Sequence, residues 1–168
     1  MGYTEMPHYM GPAVSVPGTV AGWSALLARF GTMTLSDVLV PAIRYALEGY
    51  PVTEWIGSGW QLMASRLLRE TGDESLPLHL RRSGPPQPSG REFLVDGRAP
   101  AVGELVKLPT LGETLMGVAA EGKDFIYEGD FAGKLSAHVQ RYHGWITPED
   151  LHGFEAEWVE PIHADYHG

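Results

Sequence analysis

Gly117-Val118-Ala119-Ala120-Glu121-Gly122-Lys123 fits the G-x-x-x-x-G-K pattern of a phosphate cradle. Such a cradle needs the loop between a strand and a helix, with Ser or Thr after the lysine to hold magnesium. Here Asp124 follows the lysine, and the stretch continues a helical pattern. It reads as a helix C-terminus with a glycine stop and a lysine near the last carbonyls. Seven histidines raise the question of a metal. His163 and His167 would share one face of a helix, the arrangement a metal needs. Their segment alternates like a strand, which sets them ~13 Å apart at ~3.3 Å per residue, beyond the reach of one ion. His138 and His143 are badly spaced for one helix face, so all of these read as surface histidines. The chain has no cysteine, so thiolate catalysis, disulfides and Cys-bound zinc are excluded. There is no G-x-S-x-G elbow. Most Asp and Glu sit where helices start, and capping accounts for them. Residue spacing therefore assigns no catalytic, substrate-binding, cofactor-binding or metal-binding residue, and no cofactor.

The elements that would position any chemistry are mainly helical. Val14-Ser15-Val16 alternates as a short strand. Thr19 to Phe30 predicts a helix, with Val20, Trp23, Leu26, Leu27 and Phe30 at spacings of three and four and Gly31 as a left-handed stop. Ser36 reads as an N-cap. Pro41 predicts a break into two short helices, and Gly49 ends the second. Thr53 caps a helix over Glu54–Arg69, whose apolar face includes Trp55, Leu62, Leu67 and Leu68. Residues 71–92 read as a variable surface excursion rich in turn formers. Phe93-Leu94-Val95 with Asp96-Gly97 predicts a short strand and a tight turn. Thr110 and Glu113 have capping-box spacing for a helix ending at Glu121. Its stripe Leu111, Leu115, Val118 and Ala119 reads as core. Asp130 predicts the cap of a helix that stops at Gly144. Thr147-Pro148-Glu149-Asp150 carries a Thr cap, a proline at the first helical position and carboxylates at the positive end of the dipole. Glu155 to Tyr166 returns to a strand pattern broken by Pro161. No internal repeat is present.

Composition bounds the class. Gly (21) and Pro (13) make 34 of 168 residues, about a fifth, above average usage but below the low-complexity range. At 43% apolar the chain can build a core, as one domain or part of a larger one. A formal charge of −9 argues against nucleic acid, which needs Lys and Arg to displace counterions. Tyr9 to Ala28 carries no formal charge, but Pro12, Pro17 and Gly11, Gly18 and Gly22 interrupt it, so no membrane span is expected. Glu5 precedes the first basic residue, Arg29, which is unlike a secretory signal. A cysteine-free chain survives either redox environment; a cytoplasmic location is the default expectation.

Val14-Ser15-Val16-Pro17-Gly18-Thr19-Val20-Ala21-Gly22-Trp23 resembles the γ-glutamyltranspeptidase family. The likeness continues through Arg29-Phe30-Gly31-Thr32-Met33, Val40-Pro41-Ala42-Ile43 and Leu47-Glu48-Gly49-Tyr50-Pro51-Val52. It resumes at Gly103, Leu108-Pro109-Thr110-Leu111 and Thr114-Leu115, then at Gly122, Phe125-Ile126-Tyr127-Glu128-Gly129 and Ala132. Gly144-Trp145-Ile146-Thr147-Pro148-Glu149-Asp150-Leu151, Glu160-Pro161-Ile162 and Tyr166-His167-Gly168 complete it.

The resemblance implies an N-terminal nucleophile hydrolase, a four-layered αββα sandwich of α/β (α+β) class. This chain would be a mainly helical segment of its large subunit with few short strands, spanning residues 1–168. Family members cleave themselves, and the small subunit's new N-terminal threonine attacks a γ-glutamyl amide with its own α-amine as base. The acyl group then passes to water or an amine, one difficult step split into two. The chain is expected to lie upstream of the self-cleavage site and downstream of the family's Arg-Glu-x-Ala-Pro motif. Arg91-Glu92 and Arg98-Ala99-Pro100 echo that motif on the wrong side of Val16-Pro17-Gly18, so no role passes to them. The chain alone is expected to be inactive, with the remainder of the large subunit, the small subunit and a γ-glutamyl small molecule as partners. Self-association through an exposed apolar face is a further expectation, with Trp23, Trp55, Trp60 and Trp145 as its aromatic reporters. Two alternatives stay open: an acylase or amidohydrolase branch with a different acyl group, and a non-catalytic fragment or interaction module.

Overall fold

The computed structural model describes residues 11–70 and 92–167. A 3-10 turn at Gly11–Ala13 leads to α1 (Thr19–Phe30), α2 (Leu35–Glu48), β1 (Tyr50–Pro51) and α3 (Glu54–Glu70). Beyond them come β2 (Leu105–Val106), α4 (Pro109–Glu121), α5 (Asp124–Tyr127), α6 (Gly129–Arg141) and α7 (Pro148–Leu151). Helices dominate, as expected. The chain divides into two compact units: residues up to Leu35 with those from Glu121 onward, and Ser36–Ala120. The expected surface excursion, residues 71–92, falls outside the described residues except for Glu92.

In the first unit, α1 has the predicted limits. Its stop differs from expectation. Gly31 has an extended backbone (φ −74°, ψ 147°), so left-handed freedom is not why glycine stands there. A Cβ at Gly31 would lie 2.6 Å from the Leu27 carbonyl oxygen and 2.8 Å from Leu27 Cα. Close backbone approach is the reason. Val14-Ser15-Val16 is not a strand; it runs irregularly between the 3-10 turn and α1. Alternation without a neighbouring ladder leaves its backbone groups no strand partner. α6 starts at Gly129, behind Glu128, so Asp130 lies in its first turn rather than capping it and pairs with Lys134 at 2.5 Å. The helix ends at Arg141, and His143 takes a left-handed φ of +65° before Gly144. There the Gly11 N–H bonds to the Tyr142 carbonyl at 3.1 Å.

α7 is the clearest success of local sequence logic. Asp150 N–H donates to Thr147 Oγ1 at 3.3 Å, and Thr147 N–H donates to Asp150 Oδ2 at 2.8 Å, a reciprocal capping box with Pro148 at its start. It carries Leu151, which is fully buried. Beyond α7, Glu155 to Tyr166 forms no strand. It is contiguous backbone with no ladder neighbour among the described residues, which corrects the sequence expectation.

In the second unit, α2 is one helix with Pro41 inside it, not two. Pro41 removes one i→i−4 bond, but Leu39 and Ala46 are buried on either side of it, and their packing carries the helix through. Ser36 lies within the helix rather than at its cap. Gly49, at φ +99°, makes the stop. β1 then pairs antiparallel with β2, Tyr50 opposite Val106 and Pro51 opposite Leu105. Val52 N–H to Glu104 O (2.9 Å) and Gly103 N–H to Val52 O (2.7 Å) extend the ribbon. Val52, Val106 and Leu108 form a buried cluster with Trp60 against it, each aliphatic contributing about 1.5–3 kcal/mol by burial.

The buried side of α3 is Gly57, Trp60 and Ala64, not the predicted Trp55 and Leu62. Trp55 is 88% exposed and Leu62 65%. Val52 and Val102 pack closely on Gly57: a Cβ there would meet their methyls at 3.3 and 3.2 Å, which those side chains would have to yield to by a few tenths of an ångström. The side chains of Leu67 and Leu68 fall outside the description. Phe93-Leu94-Val95 shrinks to a single bridge, Val95 to Arg98. Its turn is as predicted, with φ of +49° at Asp96 and +76° at Gly97, the paired positive values of a tight hairpin turn. α4 begins at Pro109, so Thr110 is already helical and cannot be the cap. Of the predicted core stripe, Val118 is buried, Leu115 and Ala119 are half-buried, and Leu111 is exposed.

Candidate functional site

The chemistry-bearing residues resolve into scaffold contacts. Gly117 lies inside α4, and Gly122 takes φ +70° one residue past its end. Lys123 pairs with Glu155, which raises the lysine pKa. The segment is a helix stop, not a phosphate cradle. His163 and His167 lie in irregular chain, and His138 packs its ring on Tyr142 with centroids 5.1 Å apart. No group of three His, Asp or Glu suited to a metal ion occurs among the described residues. Arg98 makes a two-pronged bond to Glu104 (2.8 and 3.1 Å), and Glu104 also accepts from the Ala101 N–H at 2.7 Å. The guanidinium and that N–H hold the Glu104 carboxyl below its ordinary value. Arg98 thus closes its own hairpin rather than serving a substrate.

Two hollows remain. One, of about 340 Å³, is lined by Ile56, Trp60, Met63 and Phe93, with Trp60 Nε1 donating to the Phe93 carbonyl at 2.7 Å. It is apolar and offers no acid, base or nucleophile. The other, of about 350 Å³, gathers Glu121, Asp124, Glu128, Asp130 and Lys134 around Phe125 and Phe131. His152 Nδ1 meets Glu128 Oε2 at 2.5 Å, and Gly153 N–H donates to Glu128 Oε1 at 3.2 Å. These hold the Glu128 carboxyl below its ordinary value. A general acid at neutral pH needs the opposite shift. Glu128 and Glu104 are ion-pair anchors at the surface.

The most constrained polar group is one that sequence reasoning missed. Tyr127, on α5, is almost fully buried. Its hydroxyl donates to the Pro17 carbonyl at 2.5 Å and accepts from the Ala21 N–H at 3.2 Å. Phe154 packs on its ring at 5.4 Å between centroids. The hydroxyl therefore ties Pro17 to the first turn of α1, within a block that carries the sequence resemblance. The signal lay in Gly18: an N-cap position without a side chain calls for a cap from elsewhere.

The family model described as Gamma-glutamyltranspeptidase matches residues 1–168. The chain belongs to that family. It is 32% identical over 156 residues to the glutathione hydrolase-like YwrD proenzyme of Bacillus subtilis (strain 168), covering 93% of this chain and 27% of that protein. A cephalosporin acylase from Bacillus halodurans superposes with a TM-score of 0.84 at 36% identity, over 99% of this chain and 30% of that one. The γ-glutamyltranspeptidase of Helicobacter pylori gives 0.81 at 26% identity, over 99% and 43%. The chain thus spans about a quarter of the length of the curated relative. As a γ-glutamyltranspeptidase-family segment it has the expected character: mainly helical, few short strands, and N-terminal nucleophile hydrolases as structural neighbours. No helix among the described residues is long and apolar enough to cross a membrane.

Proposed function

We propose that these residues form large-subunit scaffold of a γ-glutamyltransferase or glutathione hydrolase-like enzyme. In the complete enzyme a threonine hydroxyl attacks the γ-glutamyl carbonyl of a glutathione-type amide, the amine leaves, and an acyl-threonine ester remains. Water or a second amine then takes the acyl group and restores the hydroxyl. The nucleophile comes from polypeptide outside these 168 residues, and by themselves they are inactive. The scaffold's part is to fix the entry into α1 through Tyr127 and to offer apolar helix faces to the rest of the molecule.

The observation that carries this reading is the pairing of a whole-chain family match with large apolar side chains left outside any core. Trp55 is the most exposed of the tryptophans, and Trp145 is 59% exposed. Isolated exposed hydrophobics are ordinary, but many together mark a surface that another layer covers. Of the four indoles expected to report this, Trp60 is half-buried instead, anchored by its bond to Phe93.

A second reading, an acylase with a different acyl group, is favoured by the cephalosporin acylase superposition. The assay separates them. The purified chain is expected to release no anilide from a γ-glutamyl anilide. A chimera carries these residues in place of the matching quarter of the Bacillus subtilis relative. It is expected to turn that substrate over, and a preference for a cephalosporin amide would select the acylase instead. Turnover by the 168 residues alone would sink the scaffold reading.

A further inference from the structure

A projection and a recess lie side by side on α3. Trp55 is 88% exposed, and Ile56, Trp60 and Met63 line the apolar hollow of about 340 Å³ together with Phe93. At about 3.6 residues per turn, Trp55 and Leu62 share one side of the helix, and Ile56, Trp60 and Met63 share the next. Gly59 falls between the two sides, one helical turn from Trp55, Ile56, Leu62 and Met63 alike. A Cβ at Gly59 would meet nothing within 4 Å. Bare backbone therefore separates the projecting indole from the hollow, and a second backbone can come close there.

We propose that this face of α3 is a self-pairing surface: two copies of the chain meet about a twofold axis near Gly59, and each seats its Trp55 indole in the other's hollow. Three observations choose a second copy as the occupant. Projection and recess stand on one surface, which is what an isologous contact requires, since each copy then gives and receives the same group. The hollow suits an apolar ring: its lining is apolar, and the Trp60 Nε1–H is already given to the Phe93 carbonyl at 2.7 Å. Finally, no charged residue occurs from Trp55 to Ser65, in a chain of net charge −9. Like-charged copies repel each other elsewhere and approach here with least cost.

The area sets the strength. An aromatic side chain buries about 150–250 Å². Counted on both partners, two seated indoles bury on the order of 600–1,000 Å², near the lower edge for a specific interface. The dimer is therefore weak and reversible. It goes beyond the scaffold reading and does not depend on it, because it claims only this face of α3.

Sedimentation of the 168-residue chain over a range of concentrations tests the proposal, with helical circular dichroism as the check on folding. A monomer–dimer equilibrium in the micromolar range is expected. Trp55→Gln removes the projection, and Gly59→Gln puts a side chain where the backbones meet. Each is expected to raise the dissociation constant at least about tenfold with helicity unchanged. A chain that stays monomeric at about ten times the upper micromolar bound, or that associates without stopping at two copies, would overturn the proposal. So would a dimer that Gly59→Gln leaves intact, since ordinary sticking of an exposed indole does not require a bare backbone beside it. Should the chain alone not fold, the same measurements are made in the chimera with hydroxyl-radical footprinting of Trp55. Trp55 shielded only as the chimera dimerises supports the proposal. Trp55 shielded in a monomeric chimera would assign the face to the rest of the enzyme and refute the second copy. Turnover of γ-glutamyl anilide by the chimera bears on the activity alone, whichever of these is found.

Discussion

The Tyr127 hydroxyl accepts a hydrogen bond from the Ala21 N–H at 3.2 Å across 106 residues of sequence. It performs the task a Ser or Asp at position 18 would otherwise perform, capping the N-terminus of α1. By donating to the Pro17 carbonyl as well, it holds the irregular segment that leads into the helix.

Tyr127→Phe keeps the ring on Phe154 and deletes both bonds. A lost hydrogen bond that strands a buried N–H costs about 1–3 kcal/mol. Denaturant unfolding should show a lower midpoint with an unchanged slope. A loss below about 0.3 kcal/mol would show that the hydroxyl is not the cap, given the usual worth of capping groups.

Gly144 and Gly133 should respond oppositely to alanine. A Cβ at Gly144 would lie 2.3 Å from Val139 Cγ1 and 2.6 Å from the Gly11 carbonyl oxygen. The backbone must move, and Gly144→Ala should cost at least about 2 kcal/mol, in the range of overpacking. A Cβ at Gly133 meets nothing within 4 Å, and the residue sits inside α6. Gly133→Ala should stabilise by about 0.5–1 kcal/mol through the unfolded chain and helix propensity. Thermal melts of the two variants check the contrast.

Acid should weaken the fold through Glu128. His152 and the Gly153 N–H hold its carboxyl below the ordinary 4.5. A group depressed by folding contributes stability that is complete above its unfolded value and is lost as pH falls through the folded one. Stability should therefore decline below about pH 4.5 on this account, and Glu128→Gln should flatten that decline. An identical acid limb in the variant would show that the contact does not couple to folding.

Trp55 is large, apolar and in contact with little, so Trp55→Gln should change folding stability by less than about 0.5 kcal/mol. It should reduce binding of a hydrophobic dye and self-association, read by fluorescence and sedimentation. A large stability loss would place Trp55 in a core that the structure does not show.

Local signals were readable wherever the deciding contact is local. α1 was legible to its last residue from the spacing of its apolar side chains, and the Thr147 capping box from four consecutive residues. Signals failed where the decision is made at a distance. Pro41 predicts a break on its own, yet buried Leu39 and Ala46 carry α2 through it. Trp55 and Leu62 look like core by composition, but the ribbon reaches α3 on the side of Trp60. Tyr127 is one aromatic among many until the fold brings it to Ala21. As for the site, no spacing within these residues marks one; the ordered blocks from Val14 to Tyr166 carried the family instead, because they record backbone geometry and packing rather than chemistry.

One unit is assembled from two stretches far apart in sequence, residues up to Leu35 and those from Glu121 onward, with the other inserted between them. On the ribosome, where chains emerge at about 5–20 residues per second, α1 is released roughly 5–20 s before Tyr127 exists to cap it. The inserted unit can be finished in that interval. Vectorial synthesis thus imposes an order within these residues, the inserted unit first and the unit that encloses it last, and leaves the Ala21 N–H without its cap for as long as translation lags.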